Sequence, residues 1–237
     1  MELKSPNIFK SLEGDMSNNI NAHTADYNAI IEREKNLNNN LLQFMINFSD
    51  NYSYFHNAME DLLSSLYEVA KLSEKISSAN DDYVLSELPD ILKVFHNRLY
   101  TFWNVLLNMF SIVLGIQLPR NVEQLKGKLE AFPDIFKQLS KISDSIFTFD
   151  KYFEKRNEIV HQGKYEDKEF EEVYTYSMIG FFRDKESFDR KLKERKIKLI
   201  ENKADVIDNI CTEIFSTMIV LNSELMNQYY NYEKNFN

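Results

Sequence analysis

Apolar positions recur three and four apart from Asp26 to Ala79: Ile30, Ile31, Leu37, Leu41, Leu42, Met45 and Phe48, then Phe55, Met59, Leu62, Leu63, Leu66, Val69, Ala70 and Leu72. That is the spacing at which one face of an α-helix meets a core. It predicts two helices, or one long kinked helix, interrupted near the polar run "SDNYSY". The run "SANDDYVLSELP" then reads as a polar connector, with Pro89 placed to open the next helix near its N-terminus.

That next helix, over about residues 91 to 118, is the most apolar in the chain and contains "LYTFWNVLLNMFSIVLGIQL". Twenty residues without a formal charge are long enough to span a bilayer. Asn104, Asn108, Ser111 and Gln117 interrupt the run, and each costs insertion free energy, so a buried helix and no membrane partner are expected. Asn97, Thr101, Asn104, Asn108 and Ser111 step by four, three, four and three, which places them on one stripe. The stripe is either the solvated face of this helix or the wall of a cleft or subunit seam.

Pro119, Gly127 and Pro133 break the pattern into a connection. A helix over about 135 to 161 follows, and Gly163 suits the left-handed position just past its end. "EDKEFEEVYTYSMIGFF" reads as a further helix, "RDKESFDRKLKERKIKLIENKADV" as a charged stretch, and residues from about 205 to 233 as a last amphipathic helix. Residues 1 to 25 carry Pro6 and Gly14 and show no sustained period, which predicts a loosely held arm. No internal repeat is apparent. The expectation is an all-α protein: an up-and-down helical bundle with additional N- and C-terminal helices, built as one helical domain over 26–237 behind a flexible arm.

Composition narrows this further. Five glycines and four prolines leave few turns, and 43% hydrophobic residues suffice for a substantial core. The single cysteine, Cys211, lies in an apolar helical stretch and reads as a small buried residue; it excludes an intramolecular disulfide and any CxxC metal site. A reducing, cytoplasmic setting fits, and "MELKSPNIFKSLEGDMSNN" has no apolar region of signal-peptide length. A formal net charge of −9 repels phosphates over the whole surface, so any RNA contact must be local.

One local excess of positive charge lies between Arg183 and Lys203, where nine Lys or Arg face five Asp or Glu. It reads either as a solvated helix face or as an RNA-backbone contact. Trp103 and its aromatic neighbours read as core. His23, His56 and His96 are scattered without HExxH or comparable spacing, so no metal site is expected; His96 and Arg98 open the apolar helix and could line the cleft, but read first as N-terminal surface residues. No GxxxxGK[ST] loop, GxGxxG or GxSxG elbow is present, which argues against nucleotide hydrolysis, dinucleotide binding and serine hydrolase chemistry, and no cofactor is expected.

The stretch "RNEIVHQG", residues 156 to 163, carries the candidate chemistry at the end of the 135 to 161 helix. Asn157 and His161 are four apart and share a helix face, so the amide can orient the imidazole and fix its tautomer. Arg156 stands about 140° round from His161 on an ideal helix. The negative end of the helix dipole favours a protonated histidine in the last turn. Together these types can cleave RNA without a metal: a base takes the 2′-hydroxyl proton, an acid protonates the departing 5′-oxygen, and a cation stabilises the phosphorane. One imidazole cannot hold both roles in one step, but two copies across a two-fold axis can, with Arg156 clamping the phosphate. Lys155 and Lys164 flank the motif and could hold a phosphate without reading sequence. A plainer reading makes Arg156 a surface charge, His161 a dipole-compatible terminal residue and Gly163 a cap.

Arg156, Asn157 and His161, set as "RNEIVH" at a helix end in an all-α chain, resemble the signature of the HEPN superfamily (higher eukaryotes and prokaryotes nucleotide-binding): Arg, a polar residue, then His after four to six spacers. By architecture the resemblance covers about residues 90 to 235. It implies a helical bundle that dimerises so that two motifs share one cleft. In many members it also implies metal-independent ribonuclease activity in toxin, defence or RNA-processing roles, with RNA, a second copy and an antitoxin or defence component as partners. Members paired with nucleotidyltransferase antitoxins typically carry a tyrosine two residues after the histidine, where this chain has Gly163. The rival expectation is a non-catalytic helical module of the same kind that binds a nucleotide, RNA or a partner protein.

Overall fold

A computed structural model describes residues 3–18, 39–75, 82–121, 124, 125, 127, 167–179 and 185–234. All regular structure among them is helical: α1 over residues 5–18, α2 Asn39–Lys75, α3 Asp82–Leu114, α4 Lys168–Ile179 and α5 Lys185–Lys234. The protein is an all-α helical bundle. Two compact units divide it, one of Met1–Ser5, Asp61–Tyr100 and Tyr152–Cys211, the other of Pro6–Glu60, Thr101–Lys151 and Thr212–Asn237.

α2 runs without a break through "SDNYSY". Phe48, Tyr52, Phe55 and Met59 keep the apolar stripe continuous and buried across it, at steps of four, three and four. The intervening polar residues bond back onto their own helix, Asn51 Nδ2 to the Asn47 carbonyl at 2.7 Å and Ser53 Oγ to the Ser49 carbonyl at 3.3 Å. Such back-bonding lets Asn and Ser sit mid-helix where sequence pattern alone suggests a break.

α3 begins earlier than expected and carries Pro89 inside it. Proline there removes a helix hydrogen bond, at a cost of about 3 kcal/mol in an ordinary helix interior. Leu85, Leu88 and Leu92 are all buried around it, and about 1.5–3 kcal/mol for each buried leucine outweighs that loss. α3 ends at Leu114 rather than 118. Gly115 takes φ 64°, its N–H bonds the Ile112 carbonyl at 3.3 Å, and Ile116 N–H bonds the Ser111 carbonyl at 3.2 Å. This pair of bonds closes the helix as a Schellman motif, which needs a residue free of left-handed strain.

The expected boundary between a charged stretch and a final helix near 205 is absent, because α5 is one helix of 50 residues. Its buried stripe runs through Phe188, Leu192, Lys196, Leu199, Ala204, Ile207, Cys211, Ile214, Phe215 and Met218. Lys196 occupies a core position in it, which disguises the stripe as a charged run.

In the second unit, α2 and α3 are antiparallel: Asn51 accepts a hydrogen bond from Asn108, and the Phe55 ring lies 5.6 Å from that of Phe102. Tyr52 donates its hydroxyl to Asn222 Oδ1 at 2.8 Å, tying α2 to α5 inside the core. α1 corrects the expected loose arm over its residues. Phe9, Leu12 and Met16 are buried, and Phe9 meets Phe215 at 5.4 Å. Three apolar residues at helical spacing suffice to seat this short segment, although Pro6, Gly14 and its charges mask the period.

In the first unit, Arg98 of α3 donates to Ser65 Oγ of α2 at 2.5 Å and pairs with Glu68 at 3.6 Å. Asp208 of α5 accepts the backbone N–H groups of Lys4 and Ser5, each at 2.9 Å, and the Ser5 hydroxyl at 2.6 Å. No described helix is long and apolar enough to cross a membrane.

Candidate functional site

Arg156, Asn157 and His161, with the flanking Lys155 and Lys164 and the capping Gly163, lie outside the described residues. What is described is the helix pair that follows them in the chain, α4 and the first half of α5, both in the first unit.

Asp167 starts α4. Its Oδ1 accepts the Phe170 N–H at 3.1 Å, the bond of an N-cap, and Glu169 and Glu171 add negative charge to the first turn where the helix dipole favours it. Lys203 reaches from α5 to this turn, its Nζ 2.7 Å from Asp167 Oδ2 and 2.7 Å from Glu169 Oε2. Burial works against the charge of Lys203, yet the hydrogen bonds and negative charge of Asp167 and Glu169 outweigh it, so its pKa stands above the usual lysine value.

About two helical turns along the pair, the guanidinium carbon of Arg195 sits 4.3 Å from the centre of the Tyr176 ring, which itself stacks on Phe188 at 5.0 Å. Arg195 borders two adjoining surface grooves of 490 and 390 Å3. Glu169, Glu171 and Glu172 line them from α4 together with Lys168, and Lys198 and Asn202 from α5.

This geometry divides the positive segment read from sequence. Lys196 is buried, Lys203 is bound by two carboxylates, and Arg195 covers an aromatic ring. Lys185, Arg190, Lys191 and Lys198 remain on the exposed face, among Glu186, Glu194 and Glu201. An acidic wall on α4 facing a basic wall on α5 suits a zwitterionic surface better than a track for a phosphate backbone.

The polar stripe of α3 is mostly its solvated face. Asn97, Thr101 and Asn108 are exposed, and Ser111 closes the helix end by donating to the Leu107 carbonyl at 2.8 Å and accepting Leu118 N–H at 3.1 Å. Asn104 differs, since its Oδ1 is buried without a hydrogen-bond partner among the described residues. Trp103 is core as expected, with its indole N–H donated to the Arg120 carbonyl at 3.3 Å. His96 departs from the surface position expected for it, being buried in mid-helix, and Arg98 is half-buried against α2. Both follow from the early start of α3, which turns this segment into the helix centre.

Cys211 is buried, and burial followed by the nearby Asp208 charge pushes its thiol pKa well up, so it is no nucleophile. Among the described residues, Glu13, His56 and Glu60 are the group whose donor atoms converge closely enough to hold a metal ion. Sequence spacing missed it because Glu13 arrives on another helix; the one local signal is that His56 and Glu60 are four apart.

Comparison with known proteins adds a family. The sequence model of the RiboL-PSP-HEPN family matches residues 51–181. No curated protein and no solved structure matches the chain. The matched span opens within α2 and closes just after α4, so it takes in part of α2 and omits α5, unlike the core of about 90 to 235 expected from architecture. It includes the positions of Arg156, Asn157 and His161. Matched over more than half its length, the chain belongs to the RiboL-PSP-HEPN family of the HEPN superfamily.

Proposed function

We propose that the protein is a metal-independent endoribonuclease, active as a homodimer, that cuts single-stranded or looped RNA. The observation that carries this reading is the family match over residues 51–181. The stretch "RNEIVH" lies within that span and offers a cation, an amide and an imidazole at the spacing for which the sequence resembles the superfamily signature. One His161 accepts the proton of the 2′-hydroxyl as that oxygen attacks phosphorus. The His161 of the second copy gives a proton to the departing 5′-oxygen. The products are a 2′,3′-cyclic phosphate and a 5′-hydroxyl, and no water or metal enters the step. Arg156 binds the non-bridging oxygens and stabilises the charge that grows on them, while Asn157 holds the imidazole. Lys155 and Lys164 hold the neighbouring phosphates. A toxin or phage-defence effector in the cytoplasm, restrained by an antitoxin or partner component, is the role that fits such an activity.

The test is purified protein incubated with mixed RNA in EDTA beside H161A and R156A. Cleavage by the parent, lost by about 100-fold or more in each variant, is expected. Equal cleavage by parent and variants overturns the reading. RNA or nucleotide retained without turnover by all three proteins replaces it with a non-catalytic binding module.

A further inference from the structure

Residues remote in sequence converge on one side of α2 in the second unit. Glu13 Oε1 lies 4.0 Å from Nε2 of His56, and Glu60 Oε2 lies 3.9 Å from Nδ1. One donor atom from each of the three lies within 4.8 Å of the other two. Glu60 shares the α2 face of His56 because the two are four apart. Glu13 is delivered by α1, whose Phe9, Leu12 and Met16 are buried. Phe9 also touches the imidazole, ring centres 6.3 Å apart and tilted 45°, so the histidine is held by packing with a quarter of its side chain exposed.

Two carboxylates this close repel each other unless positive charge lies among them. A proton on His56 supplies one charge; a divalent ion supplies two and can bond all three groups. One imidazole nitrogen with two carboxylate oxygens is a donor set for zinc-class ions, whereas magnesium and calcium take oxygen alone. Zinc bonds of about 2.0–2.1 Å place neighbouring tetrahedral ligands about 3.4 Å apart. The two carboxylates face different nitrogens of the ring, so gathering them around one nitrogen means closing separations of up to 4.8 Å by rotamer changes of two glutamates that are half exposed, at 46% and 53%.

We propose that Glu13, His56 and Glu60 form a binding site for a divalent transition-metal ion of the zinc class, which fastens α1 to α2. Three protein ligands leave the fourth position to water. The site acts on the stability of the second unit and takes no part in the RNA chemistry proposed above, so either can fail without the other.

The experiment uses the full chain, stripped with EDTA, dialysed and titrated with zinc chloride by calorimetry while Tm is followed. Expected are one saturable zinc per chain and a Tm that rises with zinc. E13Q and H56N should bind at least about tenfold more weakly. Cobalt chloride should give visible absorption bands of a nitrogen- and oxygen-ligated ion that are lost in the same variants. E13Q and E60Q alter half-exposed side chains, so the test stands even where H56N unfolds. Absence of saturable binding, or zinc bound equally by parent and E13Q, overturns the proposal. An equal Tm rise with magnesium chloride also overturns it, because a plain acidic cluster would do the same.

Discussion

Lys203 Nζ stands 2.7 Å from Oδ2 of Asp167, while the other oxygen of that carboxylate caps α4. One acid therefore serves both the start of a helix and the joint between that helix and α5. Glu169 completes the joint at 2.7 Å. K203M removes the cation and leaves a part-buried carboxylate without it, and should cost about 2 kcal/mol in urea denaturation. Because the pKa of Lys203 is raised on folding, its contribution is complete below the usual lysine value of 10.5 and is lost as pH rises through the higher folded value. The stability gap between parent and K203M should be constant from about pH 7 to 10 and shrink above that.

Asp208 satisfies donors at the start of α1, where the first N–H groups have no carbonyl of their own helix to bond, accepting Lys4 N–H, Ser5 N–H and the Ser5 hydroxyl. D208A should destabilise by about 3 kcal/mol, and S5A by about 1 kcal/mol, measured by chemical denaturation. Because both changes act on one network, the double variant should lose less than the sum.

Gly115 has positive φ and open space around the position of an added Cβ, with nothing within 4 Å. G115A therefore adds backbone strain without a clash, and its expected cost is about 1 kcal/mol. A change of Tm beyond what that cost explains would mean that the helix end itself had rearranged.

These elements also show what sequence could and could not tell. The runs ending at Phe48 and resuming at Phe55 and Met59 were readable because helix period is local, and they led to an all-α bundle; Tyr52, which joins them in the buried stripe, was hidden in a polar run. The supposed breaks at "SDNYSY" and near 205 were not breaks: Asn51 and Ser53 bond back onto their own turn, and Lys196 holds a core position with a charged residue. The glycine that closes a helix in left-handed geometry among the described residues is Gly115, hidden inside an apolar run that continued to Leu118. The N-terminal helix was missed because three buried side chains sit among residues of loop character. The RNA chemistry proposed for Arg156, Asn157 and His161 rests on types and spacing in six residues that lie outside the described ones. The meeting of Glu13 with His56 was illegible, because it depends on how α1 folds back and on nothing in the local sequence.

Cys211 should be inert in the native protein. Its burial and raised pKa predict no reaction with a thiol-specific disulfide reagent until urea unfolds the chain, whereupon one thiol per chain should react. Reaction at the native stage would show that the middle of α5 opens.

The central claim is transfer to a 2′-hydroxyl without a metal, and the ends of the product report on it most directly. A single-stranded RNA digested in excess EDTA should yield 2′,3′-cyclic phosphate and 5′-hydroxyl ends, and the same strand with every 2′-hydroxyl methylated should stay intact. Fragments bearing a 5′-phosphate, or cleavage of the methylated strand, would contradict the account.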